Sequence, residues 1–417
     1  MSETVVIGGG AAGMFFGILA AQNGHKVTII EQNEKLGKKL FITGKGRCNF
    51  TNNCTPEEFR SNVVTNPRFL FSASEAMTPE DVIGLFEEWG LRTKTERGRR
   101  AFPESDHSAD VIDTLKKQLH KNGVRVLLHT KAVRILSDEN GITGVEVEST
   151  DADKAEKSRI LPCSNAVIAT GGISYPSTGA TGDGYRFAKD FELRVTDLYP
   201  SLVPLVCAEE YVKEMQGLSL KNVELHIRSG KKELYNEFGE MMFTHFGITG
   251  PLVLSASALI GPQIGKKQLT AWIDLKPAVS EEQLDARLLR VFEENKNKTL
   301  KNILGEFYPQ KMHPVITAVS GLDPETRIHT ITKEQRTALI QTTKHFPITL
   351  TALRGYAEAV VTKGGISVKE INPTTMEVKK IPGLYVIGEA LDLDAFTGGY
   401  NLQIAWCTAA AAARHLN

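Results

Sequence analysis

The chain has 417 residues, of which 41% are hydrophobic and 24% charged. That composition is of a soluble globular protein, with too much chain for one ordinary core, so two or three domains are expected. Lys+Arg and Asp+Glu both number 49, which excludes a global field favouring nucleic acid or membrane, although two local runs are basic. These are 35–47, with Lys35, Lys38, Lys39, Lys45 and Arg47 and no acid, and 92–100, with Arg92, Lys94, Arg97, Arg99 and Arg100 against Glu96.

The first apolar run begins by residue 4 and is broken by glycines, so no signal peptide is expected. "TVVIG" (4–8) reads as a strand, "AAGMFFGILAAQNG" (11–24) as a helix stopped by Gly24, and "KVTIIE" (26–31) as a second buried strand. Between them Gly8, Gly10 and Gly13 have the spacing G-x-G-x-x-G, with Ala12 inside it, and Glu31 follows Gly13 by 18 residues. Spacing alone is weak, and glycines that merely turn the chain are the bland alternative. A strand before and a helix after make it a dinucleotide fingerprint. Gly8 makes the tight turn, Gly10 admits a pyrophosphate, Gly13 lets helix and strand pack, and Glu31 accepts from the adenosine ribose.

Next comes "GKGRCN" (44–49), a thiol between an arginine and an asparagine in a glycine-loosened loop. Short helical patterns continue to about residue 90. A helix is expected over 108–123, with Ser108 as N-cap, Val111, Ile112, Leu115 and Leu119 on one face, and Gly123 as the stop. β patterns follow at 125–129, 132–136, 143–149 and 158–162, with an Asn140-Gly141 turn, and then the fully apolar "AVIATGG" (166–172). A meander inserted before such a strand is the layout of FAD-binding domains of the glutathione-reductase type.

Periodicity is mixed from about 193 to 361, with strand-like runs near 202–207, 222–229 and 268–275 and a charged helical patch at about 280–305. No second fingerprint occurs there, so no separate nicotinamide domain is expected. The apolar stretch 251–264 is too short to span a bilayer, which needs about 20 residues. "LYVIG" (384–388) restores a parallel strand, and "NLQIAWCTAAAAARHL" (401–416) is a small-residue helix. The fold class expected is therefore α/β: a discontinuous Rossmann-like FAD domain at 1–192 and 362–417, with an insert at 193–361 covering the flavin.

The cysteines at 48, 54, 163, 207 and 407 show neither Cys-x-x-Cys spacing nor an adjacent histidine pair. No disulfide framework and no metal site are expected, and a reducing cytoplasm is the default compartment. If the apolar strands are parallel neighbours, Gly8–Gly13, Thr170-Gly171 and Gly388-Glu389 converge at their carboxyl ends. The "TGGYNLQ" segment (397–403) then brings a helix start to the cofactor. Its amides at Asn401, Leu402 and Gln403 would stabilise the negative charge of a reduced flavin by up to about 2 kcal/mol. Asp392 and Asp394 are candidates for the ribityl chain, with an N-cap or surface role as the alternative.

Five segments carry a resemblance: "VIGGGAAG", "GKKLFITGKGRCNFTN", "ATGGISYPSTGATGDGY", "GEMMFTHFGITGP" and "GEALDLDAFTGGYNLQIA". Together, and in this order, the chain resembles the BaiN/YhiN/YtfP-type flavoproteins over its whole length. The resemblance implies non-covalent FAD, an insert with a β-barrel-like part and a helical part at about 277–330, and Lys39, Gly46, Arg47, Asn49 and Val133 among the cofactor contacts. It also implies reduction of carbon–carbon double bonds. One branch of that family makes dihydrouridine in 23S rRNA, and another reduces unsaturated oxo-bile acids.

Such chemistry needs hydride on one carbon and a proton on the other. Arg47 beside Cys48 is expected to lower the thiol pKa, which makes Cys48 a candidate general acid. The alternative keeps Cys48 as a small packing residue, with Lys45 and Asn49 holding the cofactor. His245 is the second candidate donor and Tyr175 the third. Electrons are expected from NAD(P)H bound transiently. The substrate expected first is a uridine of 23S rRNA, its phosphates gripped by the two basic runs. A small-molecule enone is the competing substrate, and a flavin-bound RNA-binding factor without turnover is a third reading. No membrane partner is expected, and the sequence does not give the oligomeric state.

Overall fold

A computed structural model describes residues 3–151, 158–267 and 269–416. The chain divides into two compact units, Met1–Ser201 with Tyr356–Asn417, and Leu202–Gly355.

The first unit is built on a five-stranded sheet in the order Leu384–Val386, Asn165–Ile168, Glu3–Ile7, Lys26–Ile30, Arg125–Leu127, every pairing parallel. The apolar runs explain this. Val5, Val6, Val167, Ile168, Tyr385 and Val386 are buried, as strands covered on both faces require. Helix Ala11–Gln22 crosses between the first two strands and packs against the last helix, Tyr400–Arg414. Ala409–Ala413 carry almost no side chain, so the two backbones approach closely, and Asn23 Nδ2 reaches Ala413 O at 3.1 Å. One turn earlier the gap is filled by Trp406, 5.1 Å from the Phe15 ring, its indole N–H donating to Phe50 O at 2.8 Å.

The meander forms as Thr130–Asp138, Gly141–Ser149 and Arg159–Pro162, all antiparallel. Three details differ from the sequence expectation. Ser108 is the first residue of helix Ser108–Lys121 and does not cap it, because its hydroxyl donates to Phe41 O at 2.6 Å. A hairpin, Thr93–Glu96 with Arg100–Pro103, stands where no strands were expected, and Thr51–Asn52 adds a third strand to it. Finally, Tyr199–Ser201 pairs with Val361–Lys363, which fastens 193–201 and 356–361 to the first unit rather than to the insert.

The second unit has its own core and a seven-stranded antiparallel sheet: Phe346–Ile348, Thr270–Asp274, Ser219–Ser229, Lys232–Phe243, Gly247–Thr249, Leu205–Cys207, Leu350–Leu353. Its two edge strands are separated in sequence by Thr349 alone, so the sheet must curl back on itself, a barrel-like closure. Helices Pro251–Ile260, Glu281–Glu294, His313–Ser320 and Lys333–Lys344 complete the unit.

Candidate functional site

The glycine turn is built as the fingerprint requires. Gly8 has φ +112°, and a Cβ there would lie 2.5 Å from Ala169 O. A Cβ on Gly13 would lie 2.0 Å from Gly8 O, so the start of the helix is pressed onto the turn. A Cβ on Gly10 would meet nothing within 4 Å, so open space lies on that side of the turn. Helix Ala11–Gln22 begins there with no side-chain cap and no acid in its first turn, so its leading amides are free for an anion. Glu31 braces the turn: Oε2 accepts from Gly9 N at 2.9 Å, and Oε1 accepts from Asn33 N at 2.9 Å and Nδ2 at 2.7 Å. Oε2, which accepts only the Gly9 bond among the described residues, retains a lone pair for a hydroxyl. Ala12 packs under Gly388, close enough that a Cβ on Gly388 would stand 2.9 Å from its own.

Two residues far apart in sequence meet beside this turn. Lys39 Nζ lies 2.7 Å from Glu389 Oε2 and donates to Ser174 Oγ at 2.6 Å. Glu389 also accepts from Thr362 N at 2.9 Å. Ser174 and Thr362 belong to this cluster and carried no sequence signal. Thr170 and Gly171 (φ +69°) lead into it, and a Cβ on Gly171 would sit 3.6 Å from Glu389 Oε2. Tyr185, also unsignalled, buries a hydroxyl that has no partner among the described residues, and burial followed by the charge of Glu389 raises its pKa. Val133 falls where the meander ladder shifts register, and its carbonyl accepts from Arg186 Nη1 at 2.7 Å.

Helix Tyr400–Arg414 starts from Gly399 (φ +96°) with no side-chain cap and no acid in its first turn, so the amides of Asn401 and Leu402 remain free. The Asn401 side chain turns back instead, accepting from Ala395 N at 3.0 Å and donating to Ala395 O at 2.8 Å. It fixes the glycine loop. Asp392 is half-buried, and burial raises its carboxyl above the usual range. Asp394 departs from the ribityl expectation. It is fully buried and paired with Lys363 Nζ at 3.1 Å.

The "GKGRCN" loop is conformationally unusual. Gly44, Lys45, Gly46 and Cys48 have φ of 59°, 59°, 85° and 58°. Arg47 stacks 4.3 Å over Phe102, binds Asp106 Oδ1 at 2.6 Å and pairs with Glu96. Its charge is therefore spent on the hairpin. Cys48 points the other way, fully buried in the core, and burial pushes its thiol up to about 12. The shift is opposite to the lowering expected from the neighbouring arginine. Asn49 Oδ1 is buried with no partner among the described residues, and the space around Gly46 is open. An orphaned acceptor, open glycine surfaces and two bare helix starts are the features that a dinucleotide with a ring system would complete, so the residues fit FAD.

Tyr175 (φ +53°) is half-buried on the loop after Gly172, its N–H donating to Tyr356 O at 2.9 Å. His245 belongs to the second unit. It is exposed on the turn between Lys232–Phe243 and Gly247–Thr249, its ring edge-on to Phe246 at 5.0 Å.

The model of the HI0933-like protein Rossmann domain matches residues 2–415. The chain belongs to the HI0933-like family. Members that resemble it include proteins named ribosomal RNA dihydrouridine synthase from Escherichia coli (32% identical) and Haemophilus influenzae (33%), each alignment covering 99% of this chain and 98% of the relative. A protein named 3-dehydro-bile acid delta(4,6)-reductase from Clostridium scindens is 28% identical over the same shares. The family fold also resembles the crystal structure of 3-ketosteroid delta1-dehydrogenase from Sterolibacterium denitrificans, with TM-score 0.57, 14% identity, and coverage of 100% of this chain and 99% of that one. Among the described residues no helix is long and apolar enough to cross a membrane.

Proposed function

We propose that this chain is an FAD-dependent reductase of a carbon–carbon double bond, and that its substrate is a uridine of 23S rRNA, converted to dihydrouridine with NAD(P)H as electron donor. The carrying observation is full-length similarity, at 32% and 33% identity, to two ribosomal RNA dihydrouridine synthases. FAD, when bound, supplies the hydride. The amides of Gly10, Ala12 and Gly13 would receive its pyrophosphate, and Glu31 would take a ribose hydroxyl. Lys39, Val133, Thr170, Gly171, Gly388, Glu389 and Asp392 would hold the rest of it, with Gly46, Asn49 and the Asn401 and Leu402 amides available to its ring system. Arg47 holds the loop by its grip on Glu96 and Asp106.

The uracil 5,6 bond is conjugated to a carbonyl, so charge arriving with hydride at C6 delocalises onto O4 until C5 is protonated. The protein's own task is to deliver that proton. We assign it to Tyr175, on the loop after Gly172 and next to Ser174 of the Lys39–Glu389 cluster, ahead of His245 and Cys48. A small enone obeys the same chemistry, and the bile-acid reductase relative favours it as the second reading.

RNA differs from an enone in its phosphates. On the hairpin Arg97 is exposed with no ion pair among the described residues, while Arg99 and Arg100 lie 2.5 Å from Glu58 and 3.9 Å from Glu96. Reversing all three to glutamate should weaken RNA binding and leave FAD in place. The logarithmic salt slope should fall by about 0.7 for each single-strand phosphate that the protein no longer neutralises. Turnover insensitive to both salt and charge reversal would favour the enone.

A further inference from the structure

The short helix Lys38–Ile42 carries one site residue, Lys39, paired with Glu389, and a second, Asn49 with its orphaned acceptor, follows it in the chain. Leu40 faces the core, yet the next two side chains do not: Phe41 is 51% exposed and Ile42 39%. Two adjacent large apolar side chains left in water at the rim of a site need an occupant more than scattered surface leucines do. Their surroundings say which kind. Lys35 Nζ sits 5.8 Å from the Phe41 ring centroid, on one face, and Lys45 beyond the helix has no ion pair among the described residues. The Phe41 backbone is fixed at both ends, its N–H donating to Gly37 O at 2.8 Å and its carbonyl accepting from the buried Ser108 hydroxyl at 2.6 Å. A ring so held, with a cation over one face, is suited to stack one flat π-system that carries a negative charge beside it.

We propose that Phe41 is a stacking shelf for an unpaired nucleobase flanking the target uridine, with Lys35 holding the adjacent phosphate. This rests on the RNA reading above and deepens it. Ile42 completes the apolar edge against the sugar or the base rim. Unpaired bases are recognised chiefly by such stacking, and any base can take part because each has a π-face. A small enone needs no shelf outside its pocket. A protein partner would bury Phe41 and Ile42 without requiring the unpaired charge beside them.

The test uses full-length, FAD-loaded protein and an unmodified 23S rRNA transcript. Phe41→Ala should weaken transcript binding by about 5- to 100-fold. FAD content and flavin reduction by NADPH should be unchanged, and Phe41→Trp should restore binding. Lys35→Ala should lower the salt slope by about 0.7. Unchanged binding in Phe41→Ala, against a wild type that binds and reduces the transcript, overturns the shelf and leaves the RNA reading intact. Loss of FAD in Phe41→Ala also overturns it, because the ring would then be packing on the cofactor. A wild-type dimer that dissociates in Phe41→Ala would show that a second copy covers the ring, which overturns the shelf as well. A wild type that neither binds nor reduces the transcript removes the RNA reading and the shelf with it.

Discussion

Tyr175→Phe should lower single-turnover reduction of the substrate double bond by about 10²- to 10⁴-fold, the usual weight of a general acid, with FAD and its reduction by nicotinamide unchanged. Cys48→Ala should turn over near the wild-type rate and lose about 1 kcal/mol of stability through imperfect core packing. The contrast follows from burial and charge. The Cys48 thiol is fully buried and its pKa is pushed up to about 12, so it is a weak acid with no path to a substrate. Arg47, the cation next to it in sequence, is committed to Glu96 and Asp106. Tyr175 is half-buried next to Ser174, which accepts from Lys39 Nζ at 2.6 Å beside Glu389, and its own N–H donates to Tyr356 O at 2.9 Å. His245→Ala is the parallel variant and should stay near wild type. If Cys48→Ala loses the chemical step and Tyr175→Phe keeps it, the assignment is reversed.

Lys363→Met should destabilise the first unit by about 3–5 kcal/mol. It strands Asp394, fully buried and otherwise supported by Ser201 Oγ at 3.3 Å, as an uncompensated carboxylate. The ion pair holds three segments together. Lys363 Nζ also donates to Thr65 Oγ1 at 2.7 Å, and Asp394 O accepts from Val64 N at 2.7 Å. Thermal unfolding should shift down by roughly 6–20 °C for a unit of this size. A double Lys363→Met, Asp394→Leu variant should recover much of the stability, because replacing a buried pair costs far less than breaking it. Unchanged unfolding together with absent FAD would mean that the pair serves the cofactor rather than the fold.

The first βαβ unit was legible because its signals are local: buried β-branched runs, a helix stopped by Gly24, and glycines at fixed offsets. The strand at 384–388 was legible for the same reason. The hairpin at 93–103 was not, since "TKTE" is polar, "RAFP" has only four residues with no apolar alternation, and both overlap a basic run that read as loop charge. Ser108 looked like a cap because it precedes an apolar period, but a longer-range partner, Phe41 O, took its hydroxyl. The lowered pKa expected for the Cys48 thiol failed for a geometric reason. Neighbours in sequence need not share a face, and here Arg47 turns to the hairpin while Cys48 turns to the core. Lys39 with Glu389 could not be paired from sequence at all, because 350 residues separate them and only the sheet order brings them together.

The central claim, reduction of a uridine double bond in 23S rRNA, is tested most directly under argon. The purified protein is first bleached with NADPH, then mixed with 23S rRNA from a strain lacking the gene. The flavin absorbance should return in proportion to the RNA added, and mass mapping should show one uridine gaining two hydrogens. A flavin that stays bleached with that RNA, yet recovers its colour with an unsaturated ketone, would contradict the account.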